Sequence, residues 1–382
     1  MSMHFMIKWL AIFTSIRGLL CTVVAYANHG ISLSCIMAYE EGGVRAVLNS
    51  PECPWLFSSV ESSNSTKNCQ FAMLQGRREY QEDRVVCNLD LELPFSGDPG
   101  FFYPGEEVPV ETSIGIAAIF DGHGGDEASE MASTMLSSYF LMNVVFGAYK
   151  RVLPSYEEYN KTQCRLRRMP AVIDRRSLRS DLEEALLRTI KDIDSEFSKQ
   201  AVDKGYVSGS TGTIALLFEG QLLVANVGDS KALLCFTKGD SSKDVYVEEL
   251  TRDHHPDRAD EKARIEAAGG FITRYAVPRV NGILALSRAI GDIYLKRYGV
   301  TAEAEVTGWR AFTPENSYLV VASDGVFETL TPKDVCRLLH NKASSSSLPE
   351  RIIRRAFETG SMDNLSAIVI SRLVCRNVGR CK

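Results

Sequence analysis

Phe120-Asp121-Gly122-His123-Gly124-Gly125 places a carboxylate, a backbone carbonyl and an imidazole side by side. The preceding apolar run from Ile114 to Phe120 predicts a strand covered on both faces. Glycines then release the backbone into a sharp turn that can present carbonyl as well as side-chain oxygens. Carboxylate and carbonyl oxygens suit a hard cation such as Mg²⁺ or Mn²⁺ better than zinc.

Three further acids hold the same position, at the edge of a β-rich apolar run. Asp229 follows the run from Leu222 to Gly228, Asp324 follows Tyr318 to Ser323, and Asp363 precedes Leu365 to Ile370. Strand ends are rigid, so groups carried there are placed accurately. Arg78-Glu79-Tyr80-Gln81-Glu82-Asp83 adds an Arg and an acidic pair ahead of Val85-Val86. The planar donor fork of Arg is suited to phosphate. An Asp-Gly turn can be merely a turn, but five sites with one chemical logic point to metal-assisted chemistry on a phosphate.

These segments resemble the metal-dependent serine/threonine phosphatases of type 2C, the PPM family, in a plant-like form. The resemblance rests on Gly76 to Asp83, Asp121 to Gly125, Ser208 to Thr213 and Asn226 to Ala232. It continues through Asp253-His254-His255-Pro256 to Gly270, Leu286 to Asp292, Ala322 to Phe327, and Asp363 to Ser366. The motifs keep the family's order over roughly residues 69–373. The resemblance implies an α+β fold: a four-layer α-β-β-α sandwich, two central antiparallel sheets flanked by helices. It also implies a protein serine/threonine phosphatase acting on phosphoproteins through a metal-bound hydroxide, with two Mg²⁺ or Mn²⁺ ions per subunit.

Residue by residue, the resemblance implies that Asp121 bridges the two ions and that the Gly122 carbonyl serves one of them. Asp324 and Asp363 would complete the second, and Glu82 would hold metal-bound water. Arg78 would bind phosphate oxygens, and His123 would protonate the departing oxygen, since an imidazole titrates near the working pH. Asp229 would be a further metal-site residue, and Glu328 would serve a weaker third ion. The family has Asp where this chain has Glu328, and the extra methylene moves that carboxylate. Lys231 and Phe327 stand in place of the common Arg and Trp. Asp292 reads as a supporting residue, Ser210 and Thr211 as hydrogen-bonding strand-edge residues, and His254 and His255 as loop residues. The alternative function is a non-catalytic pseudophosphatase that binds phosphoproteins or a partner through the same cleft.

Composition agrees with one catalytic domain and extensions. The 382 residues carry 45% hydrophobic side chains, enough for a substantial core, and a net charge of −5, which argues against general nucleic-acid binding. Residues 1–68 form an extension, 69–375 the phosphatase domain with a basic insertion at about 150–179, and 376–382 a short basic tail. A monomer is expected. Helices are expected over residues 126–146, from a capping box at Ser180-Asp181-Leu182-Glu183, near 257–268 and near 333–341. A long Pro-, Gly- and Phe-containing loop runs from Leu93 to Thr112.

The ten cysteines form no CxxC pair; Cys87 and Cys235 read as buried thiols, and Cys53 with Cys69 as a disulfide if the chain is lumenal. Trp9 to Ala27 is apolar apart from Arg17 and small polar residues, with Ala25-Tyr26-Ala27 as a small-x-small site. A charge at the centre of a spanning helix costs about 2.5–3.5 kcal/mol, which disfavours a stable span. The segment therefore reads as a signal or anchor, with membrane association or the secretory pathway expected and cytoplasm or nucleus the alternative. Asn64-Ser65-Thr66 and Asn160-Lys161-Thr162 would then accept glycans.

Overall fold

A computed structural model describes residues 33–50, 53, 69–93, 113–160, 177–237, 245–312, 316–340 and 346–371. The chain forms two compact units: Met1–Glu61, Gly97–Val108 and Met142–Leu182 make one, and Ser62–Ser96, Pro109–Leu141 and Glu183–Lys382 the other.

In the first unit, helix α1 (Leu33–Leu48) buries Cys35, Ile36, Tyr39, Val44 and Val47. The Tyr39 hydroxyl donates to Asn143 Oδ1 at 2.5 Å, and its ring stacks on Phe146 with centroids 4.4 Å apart. Cys35 pairs with Cys53.

The second unit follows the order β1 (Gln70–Leu74), β2 (Arg84–Glu92), β3 (Ser113–Phe120), β4 (Gly122–His123), then α2 (Glu127–Asn160) and α3 (Leu178–Lys204), two helices that also run through the first unit. Strands β5 (Gly209–Ser210), β6 (Gly212–Phe218), β7 (Gln221–Val227), β8 (Lys231–Thr237) and β9 (Val245–Glu249) come next. Helix α4 (Ala259–Ala267), the hairpin β10 (Ile272–Tyr275) and β11 (Val277–Val280), β12 (Ile290–Gly291) and α5 (Ile293–Lys296) lead to β13 (Glu305–Val306) and β14 (Arg310–Ala311). The chain closes with β15 (Asn316–Ala322), α6 (Asp324–Phe327), α7 (Pro332–His340), α8 (Leu348–Glu358) and β16 (Leu365–Ser371).

Two antiparallel sheets result, in the orders β1-β16-β15-β8-β9 and β13-β7-β6-β3-β2. The inner strands β3, β6, β7 and β16 are apolar and buried along nearly their whole length, whereas the edge strands β1, β2 and β9 keep exposed positions. Ala117, Ile119, Ala215, Val224, Leu234, Leu319, Val321 and Ile368 meet in one cluster between the sheets. Their alternates Val320, Ala322, Ala367 and Val369 pack instead against Val335 and Leu339 of α7 and Ile352 and Ala356 of α8. Period-two alternation thus assigns neighbouring residues of β15 to two different cores. Truncating Leu319 or Ile119 to Ala would cost about 2–5 kcal/mol. The expected α+β class with two central antiparallel sheets is what the chain adopts.

Several expectations are corrected. Helix α2 runs to Asn160, past residue 146 and into the basic stretch, most of whose remainder lies outside the described residues. Helix α3 begins at Leu178, so Ser180 to Glu183 sit inside it rather than capping it. Its stripe of Leu182, Leu186, Ile190, Ile193 and Phe197 is buried as the spacing requires. Helices α1 and α8 had no counterpart in the sequence reading, although Ser347 N donates to Glu350 Oε2 in a capping box and Pro349 lies in the first turn of α8. Cys53 and Cys69 do not pair with each other. Cys69 pairs with Cys87 and Cys235 with Cys336, so Cys87 and Cys235 are not free thiols. The loop after Leu93 and residues 9–27 lie outside the described residues. Among the described residues no helix is long and apolar enough to cross a membrane.

Candidate active site

Strand β3 delivers Asp121 to the mouth of the second unit. Its amide donates to Thr211 Oγ1 at 3.1 Å, and its carbonyl accepts from the Thr211 amide at 2.9 Å. Ser230 Oγ lies 3.0 Å from Thr211 Oγ1, so Ser230 and Thr211 clamp Asp121 as hydrogen-bonding residues. Gly122 is obligatory by close approach, since a Cβ there would collide with Glu82 O and Ser129 Oγ.

The small sheet β12-β5-β4 then sets the imidazole. His123 pairs with Gly209 across it, and His123 Nε2 lies 2.7 Å from Asp292 Oδ2. A side chain at Gly209 would overlap both of those atoms, so this glycine makes room for the pair. Asp292 is buried and left-handed (φ 48°), a conformation few non-glycine residues adopt without a site that demands it.

Asn364 ties the loop between β1 and β2 to the other acids. Its Nδ2 donates to the carbonyls of Gln75 and Tyr80, and its Oδ1 accepts from the Glu82 amide at 2.8 Å. Arg77 and Arg78 consequently face different ways. Arg77 stacks on Phe357 and donates to the carbonyls of Phe357 and Ser361, which makes it a structural anchor. Arg78 is exposed, lines the cleft and donates to Asp363 Oδ2 at 2.6 Å.

Arg78, Glu82, Asp121, Gly122, His123, Asp229, Asp324 and Asp363 line one cleft of about 380 Å³. Glu328 does not join them. Its Oε2 accepts from the Met362 amide and the Ser361 hydroxyl, both at 2.9 Å. Residues the sequence reading missed share the cleft wall: Arg279, Ile283, Leu284, Leu286 and Tyr294. Asp83, the partner of Glu82 in the acidic pair, carries no role in the sequence reading, although that pairing is a usable signal. It is fully buried, with Oδ2 accepting from Ser366 Oγ at 2.6 Å and Ser323 Oγ at 3.0 Å.

The acids strain against one another. Burial, then the charges of Asp83 and Asp324, push Asp121 well above the carboxylate range. Burial, then Asp229 and Asp363, push Asp324 up to about 8, and burial lifts Asp83 to about 6. Among the described residues, Asp83 Oδ1 is buried without a hydrogen-bond partner. An orphaned carboxylate oxygen amid mutually repelling carboxylates is the environment a divalent cation relieves, and the donor set is all oxygen. The residues therefore fit Mg²⁺ or Mn²⁺. Asp260, Glu261 and Glu305 form a second acidic group, but arginines already occupy it. Arg258, Arg264 and Arg288 all bond Glu261, and against the effect of burial the hydrogen bonds of Arg264, Arg288 and Ser287 hold its carboxyl far below the usual range.

His123 has the opposite balance. Burial favours its neutral form, but the hydrogen bond and charge of Asp292 prevail and raise its pKa. His254 is buried, accepts from the Gly228 amide on Nδ1 and is lowered to about 4 by burial. His255 Nε2 lies 3.7 Å from Asp229 Oδ2. Lys231 bonds Asp253 and lies 5.8 Å from the Phe327 ring, so the two family departures adjoin.

Two packed antiparallel sheets with an acid-lined cleft, an exposed Arg and a carboxylate-held imidazole define a metal-dependent hydrolase of phosphate esters. The model of the family "Protein phosphatase 2C" matches residues 70–365, and the chain belongs to that family, one of metal-dependent serine/threonine phosphatases. It is 38% identical over 421 residues to probable protein phosphatase 2C 51 of Arabidopsis thaliana, covering 89% of this chain and 78% of the relative. It is 37% identical over 431 residues to putative protein phosphatase 2C 76 of Oryza sativa, covering 89% and 85%. Its fold is similar to a crystal structure of serine-threonine phosphatase 2C from Toxoplasma gondii, with TM-score 0.62, 21% identity, and coverage of 79% and 94%.

Proposed function

We propose that this chain hydrolyses phosphoserine and phosphothreonine in protein substrates through a two-ion Mg²⁺ or Mn²⁺ centre. The observation that carries the reading is the convergence of Asp121, Asp229, Asp324, Asp363 and Glu82 with Arg78 and His123 in one cleft. Asp83, Asp121, Asp324 and Asp363, with the Gly122 carbonyl, would hold the ions. When bound, those ions would supply an activated water nucleophile and neutralise phosphate charge.

The remaining work falls to the protein's own groups. Arg78 leaves Asp363 for the phosphate oxygens, a bidentate exchange its exposed guanidinium permits. Gly125 N–H donates to Glu82 Oε1 at 2.6 Å and keeps that carboxylate aimed into the cleft. His123, held in place by Asp292, delivers a proton to the departing serine or threonine oxygen. No observation favours the non-catalytic alternative.

The test is release of phosphate from a phosphothreonine peptide by the full chain with Mn²⁺, with Mg²⁺ and with EDTA. Metal-dependent release that Asp121→Asn abolishes is expected. Release that persists in EDTA or in Asp121→Asn would refute the assignment.

For localisation we infer passage through an oxidising compartment, a reading supported by the pairs Cys35–Cys53, Cys69–Cys87 and Cys235–Cys336 among the described residues together with the apolar N-terminal segment. A glycosidase-sensitive form in cells is expected. Free thiols at Cys69 and Cys87 in protein taken from cells under thiol-blocking conditions would overturn it.

A further inference from the structure

Asp292 has a second partner besides His123. The Tyr294 hydroxyl donates to Asp292 Oδ1 at 3.3 Å, while Asp292 Oδ2 lies on His123 Nε2. Tyr294 is 38% exposed and lines the same cleft as Arg78 and His123. One buried carboxylate therefore joins a residue of the cleft wall to the imidazole assigned to leaving-group protonation.

The backbone of Asp292 is well determined. It is left-handed, its amide donates to Ser208 O at 3.2 Å, and the Gly291 amide donates to Asp194 Oδ1 at 2.8 Å. Its carboxylate plane is not, because the terminal torsion of an Asp is broad. What sets that plane is the pair of hydrogen bonds on its two oxygens. Gly209 keeps the space beside Oδ2 clear for the imidazole.

We propose that Tyr294 is a positioning residue for the general acid: its hydroxyl sets the plane of Asp292 and hence the aim of His123, while its ring forms the wall against which the substrate peptide seats. The proposal rests on the phosphatase reading of the cleft. It separates the two parts of one side chain: the hydroxyl serves proton delivery, and the ring serves peptide binding.

Tyr294→Phe and Tyr294→Ala in the full chain, with Mn²⁺, test it on a phosphothreonine peptide and on p-nitrophenyl phosphate. Tyr294→Phe is expected to lower kcat on the peptide about fivefold, the worth of one ordinary hydrogen bond, with KM unchanged. It should leave the aryl phosphate unaffected, because a good leaving group needs little protonation. Tyr294→Ala should add a rise in KM for the peptide. A purely structural role would slow both substrates alike, and that result, or an unchanged peptide kcat in Tyr294→Phe, overturns the proposal. His123→Ala run alongside separates the two readings. If it slows both substrates equally, the general-acid assignment falls and this proposal with it, whereas a peptide-selective loss there with none in Tyr294→Phe sinks the Tyr294 role alone.

Discussion

Glu328 turns away from the acids of the cleft and grips the backbone beside one of them: its Oε2 accepts the Met362 amide, next to Asp363, at 2.9 Å. The longer side chain thus acts on the loop that carries Asp363. Glu328→Gln, which keeps an acceptor oxygen, is expected to leave Mn²⁺ binding unchanged by calorimetry. Glu328→Ala should lower stability by about 1 kcal/mol at this exposed site, read from thermal melting. Loss of one bound Mn²⁺ in Glu328→Gln would instead make Glu328 a ligand.

Metal-free protein should become less stable as pH rises. Asp83 and Asp324 titrate near 6 and near 8 when folded, against about 3.9 for an unfolded Asp. Between these values the folded chain binds more protons than the unfolded one, so the advantage held at low pH is lost as each folded pKa is passed. Melting temperatures in EDTA are expected to fall from about pH 4 to about pH 8, and Mg²⁺ or Mn²⁺ to restore the loss. A melting temperature in EDTA that climbs across this window would contradict the clustered-acid picture.

Gly209→Ala removes no polar group but places a methyl on His123 Nε2 and Asp292 Oδ2. The pair must separate, so turnover of a phosphothreonine peptide should drop about tenfold or more, with a smaller effect on an aryl phosphate. Steady-state kinetics on both substrates would show it; identical losses would mean that the methyl disturbs the metal ligands instead.

Adjacent arginines should give opposite phenotypes. Arg78→Ala is expected to raise KM for the phosphopeptide roughly tenfold, and Arg78→Lys to recover only part, since an ammonium has no bidentate fork. Arg77→Ala should leave KM alone and lower stability by about 1–2 kcal/mol through its lost contacts with Phe357 and Ser361. A raised KM in Arg77→Ala would reverse the assignment.

The Cys69–Cys87 pair, 18 residues apart in sequence, brackets Arg78 and Glu82. Closing a loop of that size is worth about 3 kcal/mol in the chain-entropy view. Dithiothreitol should lower the melting temperature of the native chain and have less effect on the double variant Cys69→Ser, Cys87→Ser. Equal shifts in both would place the reducible bond elsewhere.

Much of this site is legible before any coordinates. Asp121, Asp229, Asp324 and Asp363 each sit at the edge of an apolar run, and strands buried on both faces leave their ends as the places where acids can stand. Local grammar therefore marked the candidate acids and the helix stripe from Leu182 to Phe197, while the two central sheets followed from the family resemblance of the motifs. Local grammar carries no information about direction. His123 and Asp292 are 169 residues apart, and their contact exists because β5 holds β4 on one edge and β12 on the other. The motif singles out Arg78 over Arg77 as the cleft residue, but what Arg77 does instead, stacking on Phe357 of α8, only the fold decided. The pairing of Cys69 with Cys87, the retreat of Glu328 and the reach of Tyr294 to Asp292 were likewise decided by tertiary structure. A side chain's partner is whatever the fold brings within about 3 Å of it, and spacing along the chain does not encode that distance.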